Sequence, residues 1–315
     1  MKSLVTGVAG FIGSNVAEAL IAQGHDVIGI DCFLDYYPRE MKERNIAELR
    51  NQDAFQLLEK PIGEIDLGPL VAEVDAIFHL AAQAGVRASW GQEFSIYTEN
   101  NISATQRLLE ASVGQELQAF VYASSSSVYG DNAELPMRED VALHPVSPYG
   151  VSKLAAEMLC HLYFINYAVP TVSLRYFTVY GPRQRPDMAF HRLLLSTLAH
   201  EEFHLFGDGK QTRDFTFVKD AVQATLGAAE KGRHGSVYNV GGGSRVSMLE
   251  VIQEIENVTG AQIQSRHEPS QKGDMRDTYA DTSRAKKDLD YRPSVTLREG
   301  LEAEWNWLRT VSKGS

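Results

Sequence analysis

Lys2-Ser3-Leu4-Val5-Thr6-Gly7-Val8-Ala9-Gly10-Phe11-Ile12-Gly13, with Asp26-Val27-Ile28-Gly29-Ile30-Asp31 after it, is the stretch whose reading decides the fold. Lys2 to Thr6 is a short β-rich run, and three glycines follow at once. Ile12, Val16, Ala19 and Leu20 then recur at helical spacing until Gly24 closes the helix. Asp26 to Asp31 reads as the next strand, and it ends in an acid about 20 residues past the turn. Gly7, Gly10 and Gly13 let backbone approach a pyrophosphate, and the helix N-terminus faces it with partial positive charge. The Asp31 carboxylate takes a ribose diol and repels a 2′-phosphate, so the unit is read as a dinucleotide site for NAD rather than NADP.

Working outward, the 315-residue chain is long enough for a large core and two domains. It is 43% hydrophobic and 23% charged, an ordinary globular balance. A net charge of −11 argues against a nucleic-acid surface or an anionic membrane as partner. Cys32 and Cys160 have no metal-ligand spacing, and no metal is expected. The N-terminus runs straight into a strand, no apolar run reaches the ~18–20 residues of a membrane span, and the thiols read as reduced. A cytoplasmic protein is expected.

Ala76-Ile77-Phe78-His79-Leu80 and Ala119-Phe120-Val121-Tyr122-Ala123 read as further strands, each ending in small or hydroxyl residues: Ala81-Ala82 and Ser124 to Ser127. In an open parallel sheet the ligand lies beyond the carboxyl ends of the strands, so both clusters point at one crevice. Val172 to Tyr176 is a later strand, and a helical segment runs through Asn101, Thr105, Leu108 and Leu109. The charged stretch from Tyr37 to Ala54 reads as a helical insertion whose Lys42 and Arg44 can reach cofactor phosphates. In Gly63-Glu64-Ile65-Asp66-Leu67, either Glu64 or Asp66 suits the adenine amino group, with Ile65 between them.

Ser147-Pro148-Tyr149-Gly150-Val151-Ser152-Lys153 places a phenol and an ammonium one helical turn apart, on one face. A phenol with a pKa near ~10 is a poor base at neutral pH, and a neighbouring cation favours its phenolate. After Tyr176 the texture changes. Gly181-Pro182-Arg183-Gln184-Arg185-Pro186 is a rigid basic loop, and a helix from about 189 to 199 follows. Val237 to Val240 reads as a strand returning to the main sheet, and Gly241-Gly242-Gly243 leads to a helix around 248–258. Arg213 and Arg276 lie in two more separated loops. The fold class is α/β, a Rossmann-type doubly wound parallel sheet with a smaller interleaved C-terminal α/β substrate domain. Its expected division is 1–175 plus about 215–246 for NAD, and about 176–214 plus 247–315 for substrate.

Spaced GxxGxxG, the glycines resemble those of extended short-chain dehydrogenases. His79 to Ala82, Ser124 to Gly130, Tyr149 to Lys153, Arg175 to Arg185 and Gly207 to Phe215 extend the resemblance over nearly the whole chain, to the NAD-dependent sugar-nucleotide epimerase/dehydratase family. Ala81-Ala82-Gln83-Ala84-Gly85-Val86-Arg87, and the run from Arg175 to Met188, most resemble UDP-glucuronate 4-epimerases. The resemblance implies that Tyr149 takes a sugar hydroxyl proton, that Lys153 tunes Tyr149 and holds the nicotinamide ribose, and that Ser125 hydrogen-bonds the same hydroxyl. It implies NAD contacts from Phe11, Ile12, Leu80, Ala81, Ala82, Asn101 and Tyr176, besides the glycines. For the UDP-sugar it implies Gln83, Arg87 and Gln211, with Arg213 and Arg276 on the pyrophosphate and Phe206 beside uracil.

Relatives that dehydrate or decarboxylate the sugar carry acids in the run where this chain has Ser126 and Ser127. Hydroxyls are poor proton-transfer groups at neutral pH, so the ketone formed at sugar carbon 4 is expected simply to be reduced again from its other face. That is 4-epimerisation. A 4-keto glucuronate is a β-keto acid, and keeping its carboxylate requires a fixed cation and hydroxyls near carbon 6. Arg185 and Thr178 are the candidates, helped by Ser126 or Ser127; the alternative for Arg185 is a structural salt bridge on its Pro-rich loop. The expected conversion is UDP-glucuronate to UDP-galacturonate. The alternatives are a UDP-glucose/UDP-galactose or N-acetylhexosamine 4-epimerase, a UDP-glucuronate decarboxylase and a non-catalytic NAD-binding protein. Second apolar sides on the helices through Tyr149 and Leu108 imply, by the same resemblance, a homodimer built on a four-helix bundle.

Overall fold

The structure, a computed structural model, describes residues 1–131 and 133–312. Strands β1 (Lys2–Thr6), β2 (Asp26–Asp31), β3 (Phe55–Glu59), β4 (Ala76–His79), β5 (Ala119–Ser125) and β6 (Thr171–Tyr176) alternate with helices. After β7 (Val179–Tyr180), β8 (Phe203–Phe206), β9 (Thr212–Asp214) and β10 (Thr216–Phe217), the chain returns as β11 (Ser236–Val240) to the main sheet. The sheet is parallel throughout, ordered β11-β6-β5-β4-β1-β2-β3. The order reverses between β1 and β4, and there the ends of β1, β2, β4 and β5 open a crevice.

Strand side chains alternate between two cores, as a period of two requires. Val5, Val27, Phe78, Val121 and Leu174 face one core with α1 (Phe11–Ala22). Leu4, Ile28, Ile77, Phe120 and Tyr122 face the other. Burial on both faces explains why these strands read as near-continuous apolar runs. Each fully buried Leu or Phe contributes about 1.5–3 kcal/mol relative to exposure.

Helices α2 (Arg39–Asn45), α3 (Leu67–Ala72), α4 (Phe94–Tyr97) and α5 (Ala104–Ala111) precede the long α6 (Pro148–Tyr167). Ser147 caps α6 by accepting the Gly150 N–H at 3.1 Å, and Pro148 occupies its first turn. Gly150 is there for close approach. A Cβ on it would stand 2.5 Å from the Ser127 carbonyl oxygen, so only glycine brings the start of α6 against the end of β5. The C-terminal part adds α7 (Ala189–Ala199), α8 (Val218–Lys231), strand β12 (Arg245–Ser247), α9 (Met248–Thr259), strand β13 (Ser265–Glu268), α10 (Ser283–Asp288) and α11 (Leu297–Ser312). Three two-stranded pairings, β7 with β10, β9 with β12 and β8 with β13, hold its loops beside the crevice. Among the described residues, no helix is long and apolar enough to cross a membrane, and no group of acidic, His or Cys side chains could hold a metal ion.

Candidate active site

One cavity of about 1490 Å³ runs from the Gly7–Gly13 turn to the C-terminal loops. At its first end, Gly7 has a φ of +69°, and a Cβ on Gly13 would meet the Gly7 carbonyl oxygen at 2.1 Å. No side chain caps the N-terminus of α1, so its first N–H groups are left for a ligand. Gly7, Gly10, Phe11, Ile12 and Gly13 all line the cavity. Asp31 accepts the N–H groups of Ala9 at 3.0 Å and Phe33 at 2.8 Å. Burial pushes its carboxyl up, against those N–H groups and the charge of Lys42. A backbone cradle, an open helix end and an anchored acid fit NAD. Lys42 also lines the cavity; it is largely buried and donates to the Leu34 carbonyl, with its ammonium 4.6 Å from the Tyr37 ring centroid.

Ala81 is held by a polar chain whose directions can be worked out. Thr105 donates to the Asn101 carbonyl at 2.6 Å, so His79 Nε2 donates to Thr105 at 2.9 Å, and His79 Nδ1 accepts from Thr6 at 2.7 Å. Thr6 Oγ1 then accepts the Ala81 N–H at 3.1 Å. Complete burial, aided by the charge of Lys153, drops the His79 pKa to about 3, so the ring is a neutral strut. Leu80, Ala81 and Ala82 line the cavity beyond it, and Tyr176 lines it from the end of β6.

Two groups of residues expected on this side lie off the cavity lining. The wall near Asp31 is made by Lys60, Pro61, Ile62 and Gly63, not by Glu64 and Ile65. A single 3₁₀ turn over Ile62–Glu64 swings the Glu64 side chain into solvent and turns Ile65 toward the sheet's second core. Asn101 does not line the cavity either. It is buried in a π-helical stretch, Thr98–Ser103, where it accepts the Gln83 N–H at 2.7 Å and donates to the Gln83 carbonyl at 3.1 Å and Ser152 Oγ at 2.9 Å. It fixes the loop that carries Gln83.

At the centre, the end of β5 and the start of α6 bring Ser125, Tyr149 and Lys153 together. Burial pushes the Tyr149 phenol up, while a hydrogen bond with Ser125 and the charge of Arg185 pull it down. Ser125 Oγ also accepts the Ser127 N–H at 3.1 Å. Lys153 is 3% exposed, its ammonium 4.7 Å from the Tyr122 ring centroid, and burial lowers its pKa to about 7. Ser126 and Ser127 line the cavity alongside.

The far wall carries arginines, several of them paired with acids. Arg185 makes a two-pronged pair with Asp187, Nε to Oδ1 at 3.0 Å and Nη2 to Oδ2 at 3.1 Å. Burial opposes its charge, and Asp187 holds it firmly protonated. Arg185 is thus salt-bridged on its loop, and it lines the cavity with Thr178. Arg87 pairs with Asp274 at 2.7 Å and lies 4.2 Å from the Phe206 ring centroid, so one face of that ring is already stacked. Arg213 is spent on backbone carbonyls of Thr212, Met275 and Arg276, which ties together the loops bearing the arginines. Arg276 is mostly exposed, at 3.4 Å from Asp208. Gln211 lines the cavity and donates to the Phe206 carbonyl at 2.8 Å, and its Oε1 is buried with no hydrogen-bond partner. Sequence reasoning missed Tyr36, Asp187 and Arg192 as cavity residues. The tyrosine pair directly after the Asp31 turn was the available signal for Tyr36.

A parallel-sheet nucleotide fold with a Ser-Tyr-Lys centre lining its cavity defines a class of NAD-dependent oxidoreductive enzymes acting on a hydroxyl. The model of the NAD dependent epimerase/dehydratase family matches residues 3–241, and the chain belongs to that family. It is 44% identical, over the whole of both chains, to a Bacillus subtilis (strain 168) protein described as an uncharacterized UDP-glucose epimerase, YtcB. It is 36% identical to a UDP-glucuronate 4-epimerase of Thermodesulfobacterium geofontis (strain OPF15), covering 96% of this chain and 95% of the other. Among solved structures, a UDP-glucuronic acid 4-epimerase from Bacillus cereus in complex with UDP-glucuronic acid and NAD superposes with a TM-score of 0.96. That match is at 45% identity, over 99% of this chain and all of the other.

Proposed function

We propose that the chain is an NAD-dependent 4-epimerase converting UDP-glucuronate to UDP-galacturonate. The observation that carries this is one cavity holding Ser125, Tyr149 and Lys153 between the NAD cradle and Arg185, with hydroxyls and no acid at Ser126 and Ser127. The likeness to the Bacillus cereus enzyme supports the same sugar. NAD, held by the Gly7–Gly13 turn and Asp31, would supply a reversible hydride acceptor for carbon 4. Tyr149 takes the 4-hydroxyl proton and later gives it back, with Ser125 as the hydrogen-bonded relay between phenol and sugar oxygen. Lys153 and Asp31 hold the two ribose ends, and Arg185 with Thr178 fixes the sugar carboxylate so that its carbon–carbon bond stays out of line with the ketone. Arg87, Arg276 and Gln211 serve the diphosphate and uridine end. A UDP-glucuronate deuterated at carbon 4 tests the path: the epimer should keep its label, and loss of label to solvent would contradict hydride return to the same carbon.

In this reading residues 1–175 with about 215–246 form the NAD part, and the remainder forms the UDP-sugar part. Val151, Met158, Leu162 and Ile165 lie along one side of α6, each 45% or more exposed, and suit a homodimer through a four-helix bundle. Unpaired Cys32 and Cys160 suit a cytoplasmic setting.

A further inference from the structure

We propose that Asp187 is a positioning residue that tempers the pocket's grip on a carboxylated sugar, by acting as a built-in competitor for Arg185. The inference rests on the uronate reading above and deepens it. Asp187 presents to Arg185 the two-pronged contact that a sugar carboxylate would make. A third group completes the arrangement: the Tyr36 hydroxyl donates to Asp187 Oδ2 at 3.2 Å, from the loop that follows Asp31. Tyr36 is seated by Gly85, where a Cβ would stand 2.3 Å from the phenol oxygen. Tyr36, Arg185 and Asp187 all line the cavity, with side-chain exposures of 24% for Arg185 and 36% for Asp187, so a solute can reach the pair.

A carboxylate at carbon 6 must therefore take the guanidinium from Asp187. When it does, Asp187 keeps the Tyr36 O–H, so the displaced charge is still hydrogen-bonded. A neutral hydroxymethyl group offers no charge in exchange, and the internal pair stays closed. Tyr149 feels Arg185 as a stabilising charge and Asp187 as an opposing one, so the exchange of carboxylates also preserves the field at the phenol. The competition lowers apparent affinity by the fraction of sites in which Arg185 is free.

Binding and KM for UDP-glucuronate and UDP-glucose, in wild type and two variants, test this. Asp187→Asn is expected to bind UDP-glucuronate roughly fivefold tighter, with UDP-glucose changed less than about twofold. Tyr36→Phe is expected to weaken UDP-glucuronate roughly threefold and leave UDP-glucose alone. Equal weakening of both sugars in Asp187→Asn would show a merely structural residue and overturn the inference. Should that variant not fold, Tyr36→Phe decides: a loss confined to the uronate supports the inference, and equal loss or no loss overturns it. A wild type that does not prefer UDP-glucuronate over UDP-glucose sinks the uronate reading and this inference with it. A wild type that does prefer it, with an Asn variant that binds it no tighter, sinks only the inference.

Discussion

Gly13 faces the carbonyl of Gly7 so closely that an added Cβ would stand 2.1 Å from that oxygen. The obstacle is backbone, not a side chain that can turn away, so Gly13→Ala must open the turn that cradles the pyrophosphate. Overpacking of this kind costs about 1–3 kcal/mol. NAD affinity should fall at least about tenfold by titration, and wild-type affinity in a folded Gly13→Ala protein would contradict the proposed cofactor berth.

Tyr149 and Ser125 share a hydrogen bond but are given unequal tasks. Removing the phenol O–H in Tyr149→Phe removes the base itself, and kcat should fall about 10³-fold. Ser125→Ala removes the relay and leaves the phenol, so a fall of about tenfold is expected. Steady-state kinetics on UDP-glucuronate separate the two. Turnover that survives Tyr149→Phe would refute the mechanism.

Lys153 yields a pH prediction with a definite sign. Burial holds its folded pKa at about 7, below the 10.5 of a free lysine, so between those values the unfolded chain binds more protons than the fold. Stability therefore rises with pH across that window, by up to about 1.4 kcal/mol per pH unit from this group. Urea unfolding without added nucleotide, at several pH values between about 7 and 9, should show this slope in wild type and lose it in Lys153→Met. Parallel stability curves for the two proteins would place the ammonium in water.

The NAD half of the molecule was legible because its signals are local. Strand, glycine turn, helix and acid follow one another within the first 31 residues, and each obeys its own periodicity. Tyr149 and Lys153 share a helix, so their face was readable. Contacts between distant segments were not. Asp187 meets Tyr36 from 151 residues away, and nothing in either local pattern announces the pair. The burial of Asn101 off the cavity lining was not legible, because a π-helical stretch shifts which residues face inward. The exposure of Glu64 was not legible either, because it is set by one 3₁₀ turn.

The central claim is that this site oxidises carbon 4 of a UDP-uronate and returns the hydride to the other face without losing the carboxylate. Incubating the purified protein with UDP-glucuronate and resolving the nucleotide sugars tests it most directly. The account predicts UDP-galacturonate as the product, formed with NAD regenerated at each turnover. A UDP-pentose, no conversion, or faster kcat/KM on UDP-galactose would contradict it.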